Sequence, residues 1–116
     1  MIGNVDFHIK YDRIWMYRVE ETKEYIDWFN KQAIKEQAQI QARIARIRTD
    51  GHFGIAKKLA ESLAELKWGN GRRIYFTLTK DKNGNIIILL IGGNKNSQDK
   101  DIRKAKSILK KISEDN

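Results

Sequence analysis

Residues 65–94 read ELKWGNGRRIYFTLTKDKNGNIIILLIGGN, and the turn signals inside this stretch decide the fold. Asn83-Gly84 is the strongest short hairpin signal a sequence carries. Before it, RRIYFTLT (72–79) is rich in the β-branched and aromatic residues that strands favour. After it, the run from Ile86 to Ile91 is apolar on both faces, as expected for a strand inside a sheet. Upstream, Gly69-Asn70-Gly71 marks a second tight turn. Ahead of that turn, residues 62–68 alternate: Leu63, Glu65 and Lys67 on one face, Ala64, Leu66 and Trp68 on the other. The reading is a three-strand antiparallel meander. Its last strand is expected to stop at Gly92-Gly93, where missing Cβ atoms let the chain turn tightly and let a ligand approach.

Helices are expected on either side. Downstream, Ile102, Ala105, Leu109 and Ile112 fall along one helical face, with Asn96 or Ser97 as cap and Asp99 and Asp101 near the positive end. Upstream, residues 33–48 place Ile40, Ile44 and Ile47 at i, i+4, i+7, with Arg43, Arg46 and Arg48 largely outside that stripe. This helix is amphipathic with a basic polar side, and the two glycines of TDGHFG (49–54) end it. A shorter helix precedes it, capped by Thr22, with Tyr25, Trp28 and Phe29 on one face. Residues 14–20 alternate as a strand does. The order is strand, two helices, three-strand meander, helix: a small α+β domain.

The 116-residue length fits one domain with its own core. Cysteine and proline are both absent. The turns therefore rest on Gly, Asn, Asp and Ser, and no disulfide or Cys-based metal site is available. No apolar run approaches the roughly 20 residues of a membrane span, and MIGNVDFHIKYDR lacks the apolar centre of a signal peptide. A cytoplasmic protein with no membrane partner is expected. The net charge of +8 is unevenly placed: residues 16–30 hold two cations and four anions, residues 31–58 seven cations and two anions. A basic stretch of this kind suits a polyanion such as nucleic acid, and an acidic protein fits the same charge.

The stretch from Glu65 to Lys106 resembles the addiction-module killer proteins of the RelE/ParE superfamily, especially its HigB-like branch. The resemblance rests on ELK (65–67), GNGRRIYF (69–76) and LLIGGNKNSQDKDIRKAK (89–106). These follow that family's pattern of ELR, GxGxRVYF and LLxGGxKxxQxxDIxxAK in the same order. Weaker similarity extends it to about residues 16–112. The resemblance implies a RelE-like β-α-α-β-β-β-α fold: a small, antiparallel-dominated sheet packed by two N-terminal helices and a C-terminal helix. It also implies that Met16 opens the toxin domain (16–116) and that residues 1–15 are an extension. The alternative is an arm or edge strand at 5–9 (VDFHI), which alternates; His8 in this segment carries little weight.

The function implied is that of the toxin in a type II toxin–antitoxin system. RelE-like toxins cut mRNA in the ribosomal A site without a metal or other cofactor: the 2′-hydroxyl attacks the adjacent phosphorus and expels the 5′-oxygen. The implied partners are mRNA, the ribosome and a cognate antitoxin, in this branch a helix-turn-helix protein of HigA type. Lys67, Arg73 and Lys95 fall on the family's active-site positions, and Gln98 and Asp99 match its motif, with helix capping as their structural alternative. The chemistry needs a base near the 2′-OH, cations at the crowded phosphate and an acid for the leaving oxygen. Arg72 is a second candidate for phosphate, ranked below Arg73 because neighbouring strand residues point oppositely. Tyr75 shares Arg73's face and is a candidate for stacking a base, against a competing role in the core. His52 is a candidate acid, and Arg43, Arg46 and Arg48 are candidate RNA contacts on the basic helix.

One departure stands out. Many RelE-like enzymes carry a tyrosine or histidine near the chain end as proton donor or acceptor, and this chain has neither after Asn96. His52, Lys67 or Lys95 would have to take that role, and a lysine serves as base only where neighbouring cations depress its pKa. ParE-like members share the fold but poison DNA gyrase by binding it. In that alternative the basic helix would be a protein-binding surface.

Overall fold

The computed structural model describes residues 16–115. Residues 1–15, with the expected extension, the alternative arm at 5–9 and His8, lie outside the described residues. The elements are β1 (Arg18–Glu21), α1 (Lys23–Asn30), α2 (Ile34–Asp50), β2 (Ala56–Ala60), β3 (Leu63–Lys67), β4 (Arg72–Asp81), β5 (Gly84–Asn94) and α3 (Gln98–Asp115). A single 3₁₀ turn, Lys95–Ser97, joins β5 to α3. The five strands form one sheet in the order β1-β5-β4-β3-β2. Strands β2 to β5 are an antiparallel meander, and β1 pairs with β5 in parallel. The α+β reading holds, with a mixed sheet and three helices.

The strand order needs a correction. The meander has four strands, not three, so the element order is β-α-α-β-β-β-β-α. The added strand, β2, is AKKLA at the sheet edge; its first three residues are exposed. Two adjacent lysines in five residues give little alternation, and Lys on an edge strand discourages pairing with other chains. The hairpin at Asn83-Gly84 is present, shifted by one residue. Lys82 and Asn83 make the turn, Asp81 pairs with Gly84, and Gly84 has φ +123°. The Asp81 carboxylate accepts from Asn83 N at 2.8 Å, closing an Asx turn.

The sheet is buried on both faces. Against α1 and α2 pack Leu66, Ile74, Phe76, Ile87 and Leu89, meeting Tyr25, Ile40, Ile44 and Ile47. Against α3 pack Leu63, Tyr75, Leu90 and Ile91, meeting Ala105 and Ile108. The β4–β5 register shifts between Tyr75 and Phe76, so Leu90 is the extra residue of a bulge and joins Ile91 on the α3 face. Thr22 caps α1: its Oγ1 accepts from Tyr25 N at 3.0 Å and donates to the Leu90 carbonyl at 2.7 Å. The cap thus also ties the first helix to the middle of β5, beside the bond from Thr22 N to Leu89 O at 3.1 Å.

Gly92 and Gly93 act differently from expectation. They do not end the strand; β5 continues to Asn94. Their missing Cβ atoms are needed by neighbours inside the fold. A Cβ on Gly92 would stand 2.4–2.5 Å from the Trp28 ring, and a Cβ on Gly93 would fall 1.9 Å from Asp101 Oδ2. The two glycines let a tryptophan from α1 and a carboxylate from α3 press onto opposite faces of one strand. Gly92→Ala is therefore expected to lower unfolding stability by about 2–3 kcal/mol, the cost of overpacking. Urea unfolding would show it as a lower midpoint with an unchanged slope; an unchanged midpoint would mean the indole has room to move.

Candidate functional site

Lys67, Arg73 and Lys95 lie where β3 ends, β4 begins and the chain leaves β5. Lys67, the last residue of β3, is the register partner of Arg73 near the start of β4. An alternating strand puts such a pair on the same face. The connecting turn is closed by Trp68 N to Arg72 O at 3.0 Å and Gly71 N to Trp68 O at 3.1 Å. Gly71 sits at φ +100°, in the region glycine favours. The chain leaving β5 then docks on this turn. Lys95 N donates to Gly71 O at 2.8 Å, and the Lys95 stem lies where a Gly71 Cβ would touch it at 3.5 Å. Three cationic residues from three separate segments thus meet at one end of the sheet. Lys95 is exposed and Lys67 half-buried.

Behind the rim, under α3, lies a buried polar cluster. Glu65 is 1% exposed and accepts from Gln98 Nε2 at 3.0 Å. Its Oε1 is also 3.7 Å from Arg73 Nε. The Arg73 side chain, 12% exposed, donates through Nη1 to the Arg72 carbonyl at 3.2 Å. Asp101 accepts from Ser97 Oγ at 2.5 Å and fills the space beside Gly93. Asn94 caps the 3₁₀ turn, its side chain accepting from Asn96 N while Ser97 Oγ accepts from Asn94 N.

Tyr75 belongs to this cluster and corrects the stacking role. It is fully buried, and its hydroxyl has no hydrogen-bond partner among the described residues. Burial first, and then the neighbouring Glu65 and Asp101 carboxylates, push its phenol well above the ordinary tyrosine value. Its ring packs with Leu63 and Ile91 and presents no face to a base. Gln98 likewise turns inward to Glu65. Asp99 is exposed in the first turn of α3.

The remaining expected contacts lie on the other face, against α2. Arg72 is 7% exposed and ion-paired with Glu36 at 2.5 Å, with Gln39 Oε1 at 3.4 Å, so its guanidinium is not offered to a phosphate. Arg43 is also taken up internally. It donates to the carbonyls of Phe53, Ile55 and Lys67 at 2.6–3.0 Å and lies 4.3 Å over the Trp68 ring. Desolvation lowers its pKa. A stripe at i, i+4, i+7 marks a helix face but does not reveal which flanking arginine reaches past it to loop carbonyls. Arg46 and His52 line an open cleft of about 680 Å³ with Trp68, Gly69 and Asn70. Arg48 stands in the last turn of α2, where its carbonyl accepts from Met16 and Tyr17.

The structure therefore brings Lys67, Arg73 and Lys95 together and sets Arg43, Arg46, Arg72 and His52 apart from them across the sheet. The buried carboxylates Glu65 and Asp101 were not anticipated as part of the site. The available signal was Glu65 on the same strand face as apolar Leu63, where an unpaired carboxylate would be costly. Among the described residues no group of three or more His, Asp or Glu could hold a metal ion, and no helix is long and apolar enough to cross a membrane.

No family model matches the chain. An uncharacterized protein of Haemophilus influenzae is 36% identical over 98 residues, covering 82% of this chain and 95% of its own length. A solved structure, the toxin–antitoxin complex RelBE2 from Mycobacterium tuberculosis, contains a chain similar at TM-score 0.48 and 12% identity, over 70% of this chain and 93% of that one. That second likeness is too slight to bear on function. The first runs almost the full length of the relative, and by it the chain belongs to the family of the Haemophilus influenzae protein.

Proposed function

We propose that this chain is the toxin of a type II toxin–antitoxin pair, of RelE type and HigB-like, and that it cleaves mRNA on the ribosome without a metal ion. The observation that supports it is the meeting of Lys67, Arg73 and Lys95 at one sheet rim, through the Lys67–Arg73 register pair and the Lys95–Gly71 hydrogen bond. These are the three positions the family resemblance marks. Positive charge fixed at a rigid rim stabilises a phosphate as phosphorus becomes five-coordinate. His52 lies across the sheet from Arg73, so proton transfer at the reacting oxygens falls to the rim lysines or to groups the ribosome brings. The cognate partner is an antitoxin, of helix-turn-helix type.

Ribosome dependence follows from the shape of the site. An open rim with few base-reading groups does not hold a strand in attack geometry, and orientation alone is worth several kcal/mol of barrier. The test is induced expression followed by mapping of mRNA 5′ ends, with and without an antitoxin, alongside cleavage of the same mRNA free in solution. Cuts confined to translated regions, with slow cleavage of free RNA, are expected. Intact mRNA together with inhibited gyrase supercoiling would favour the ParE-like reading; the open cleft lined by Arg46, His52 and Trp68 would then be the surface to examine.

A further inference from the structure

The buried carboxylate behind the rim has a role of its own. We infer that Glu65 is a positioning residue, which locks Arg73 and the turn carrying Lys95 into one arrangement. The inference rests on the ribonuclease reading of the rim.

Glu65 touches both halves of the site. Toward β4, its Oε1 stands 3.7 Å from Arg73 Nε. Toward α3, the same oxygen accepts from Gln98 Nε2 at 3.0 Å. Gln98 is the first residue of α3 and follows directly on the 3₁₀ turn Lys95–Ser97. One carboxylate oxygen therefore faces the strand cation and the helix start that anchors the loop cation. Arg73 is steadied on the opposite side by Nη1 donating to the Arg72 carbonyl. Its Nε is buried and has no hydrogen-bond partner among the described residues, so its contact with Glu65 at 3.7 Å is an ion pair and not a hydrogen bond.

The burial makes the arrangement specific. A carboxylate 1% exposed, facing a guanidinium 12% exposed, acts with little screening by water. An exposed glutamate in this place would leave Arg73 free to sample many rotamers. Asp101 has its own partner in Ser97 Oγ and does not take over the contact with Arg73.

The test is a charge exchange. Glu65→Gln removes the charge facing Arg73 but keeps the shape. Gln98→Glu places two carboxylates in contact. The double variant Glu65→Gln/Gln98→Glu restores one carboxylate and one amide at the same junction, with the charge now on α3. Four proteins are compared for cooperative unfolding, for ribosome-bound mRNA cleavage, and for the ¹H–¹⁵N resonance of Arg73 Nε, assigned by its loss in Arg73→Lys. Each single variant is expected to lose about 100-fold in cleavage rate at saturating ribosomes with little change in KM, the scale of an ångström-level misplacement. The exchange variant is expected to recover most of that loss. The Arg73 Nε resonance is expected to be sharp and slow to exchange with water in the wild type and the exchange variant, and broadened in both single variants.

Single variants that cleave as the wild type does, or an exchange variant that folds yet remains as slow as the singles, would overturn the inference. If one single variant fails to fold, the other and the exchange variant decide it; an exchange variant that fails to fold counts against it. A wild type that cuts no RNA, with the resonance pattern as expected, would remove the ribonuclease reading and leave the positioning of Arg73 by Glu65 standing.

Discussion

Lys95→Ala is expected to reduce ribosome-bound mRNA cleavage by about 10²–10³-fold, the usual cost of removing one preorganised stabilising group from a transition state, while leaving unfolding unchanged. The fold has little at stake in this side chain. Lys95 is exposed, and its attachment to the hairpin runs through its backbone N–H to Gly71 O, which alanine retains. Surface truncations away from caps, cores and buried pairs lie within about 0.5 kcal/mol of neutral. A large loss of cleavage with an unmoved unfolding midpoint would therefore separate chemistry from stability. The same loss is expected for Arg73, but here the structure changes the choice of variant. At the sequence level Arg73 reads as a rim cation that alanine could replace freely. In the fold its side chain is 12% exposed beside Glu65, itself 1% exposed. Breaking such a pair from one side leaves an uncompensated buried charge, at about 3–5 kcal/mol. Arg73→Gln retains a donor toward Glu65 and is the better probe. Wild-type cleavage by Lys95→Ala and Arg73→Gln together, at matched folded protein, would take both residues out of the site.

The contrast between Lys95 and Arg73 shows what was legible in the sequence. Elements whose own residues carry their period were readable. The Ile40, Ile44 and Ile47 stripe is buried as expected, Thr22 caps its helix, and the Asn83-Gly84 signal produces a hairpin. Features fixed by distant partners were not. Strand β2 exists because β3 offers it an edge, and five residues with two lysines do not announce that. Arg43 and Arg72 look like surface cations on a basic helix and a strand start, yet carbonyls from three loop and strand positions claim the first, and Glu36 claims the second. Gly92-Gly93 carries the usual punctuation of a chain turn. Its true cause, a tryptophan on one side and an aspartate on the other, lies 64 residues upstream and eight downstream. The three rim cations were selected by motif resemblance. Their convergence follows from register and from the single bond between Lys95 and Gly71.

The largest expected effect is chemical: complete loss of cleavage when the nucleotide 5′ of the cut carries 2′-deoxy or 2′-O-methyl. Enzymes that cut RNA with metal-activated water gather carboxylates to hold the ions at the attacking and leaving oxygens. At this rim the side chains are Lys67, Arg73 and Lys95; Glu65 and Asp101 behind it are buried and engaged with Gln98 and Ser97, and exposed Asp99, which shares an open pocket with Lys95, is a single carboxylate rather than a cluster. Such a set stabilises charge on the non-bridging oxygens but does not itself generate a hydroxide. Under the proposed ribonuclease function, the nucleophile would be the RNA's own 2′-oxygen. It forms a bond to phosphorus as its proton leaves, the bond from phosphorus to the 5′-oxygen breaks, and that oxygen takes up a proton; nothing is oxidised or reduced. The upstream fragment should end in a 2′,3′-cyclic phosphate or the 3′-phosphate from its opening, and the downstream fragment should begin with a 5′-hydroxyl. Cleavage should also persist in chelator when polyamines keep the ribosomes intact. End-group analysis decides between the two routes. Fragments with 5′-phosphate and 3′-hydroxyl would mean attack by water, and Lys67, Arg73 and Lys95 would then have no transition state of this kind to stabilise.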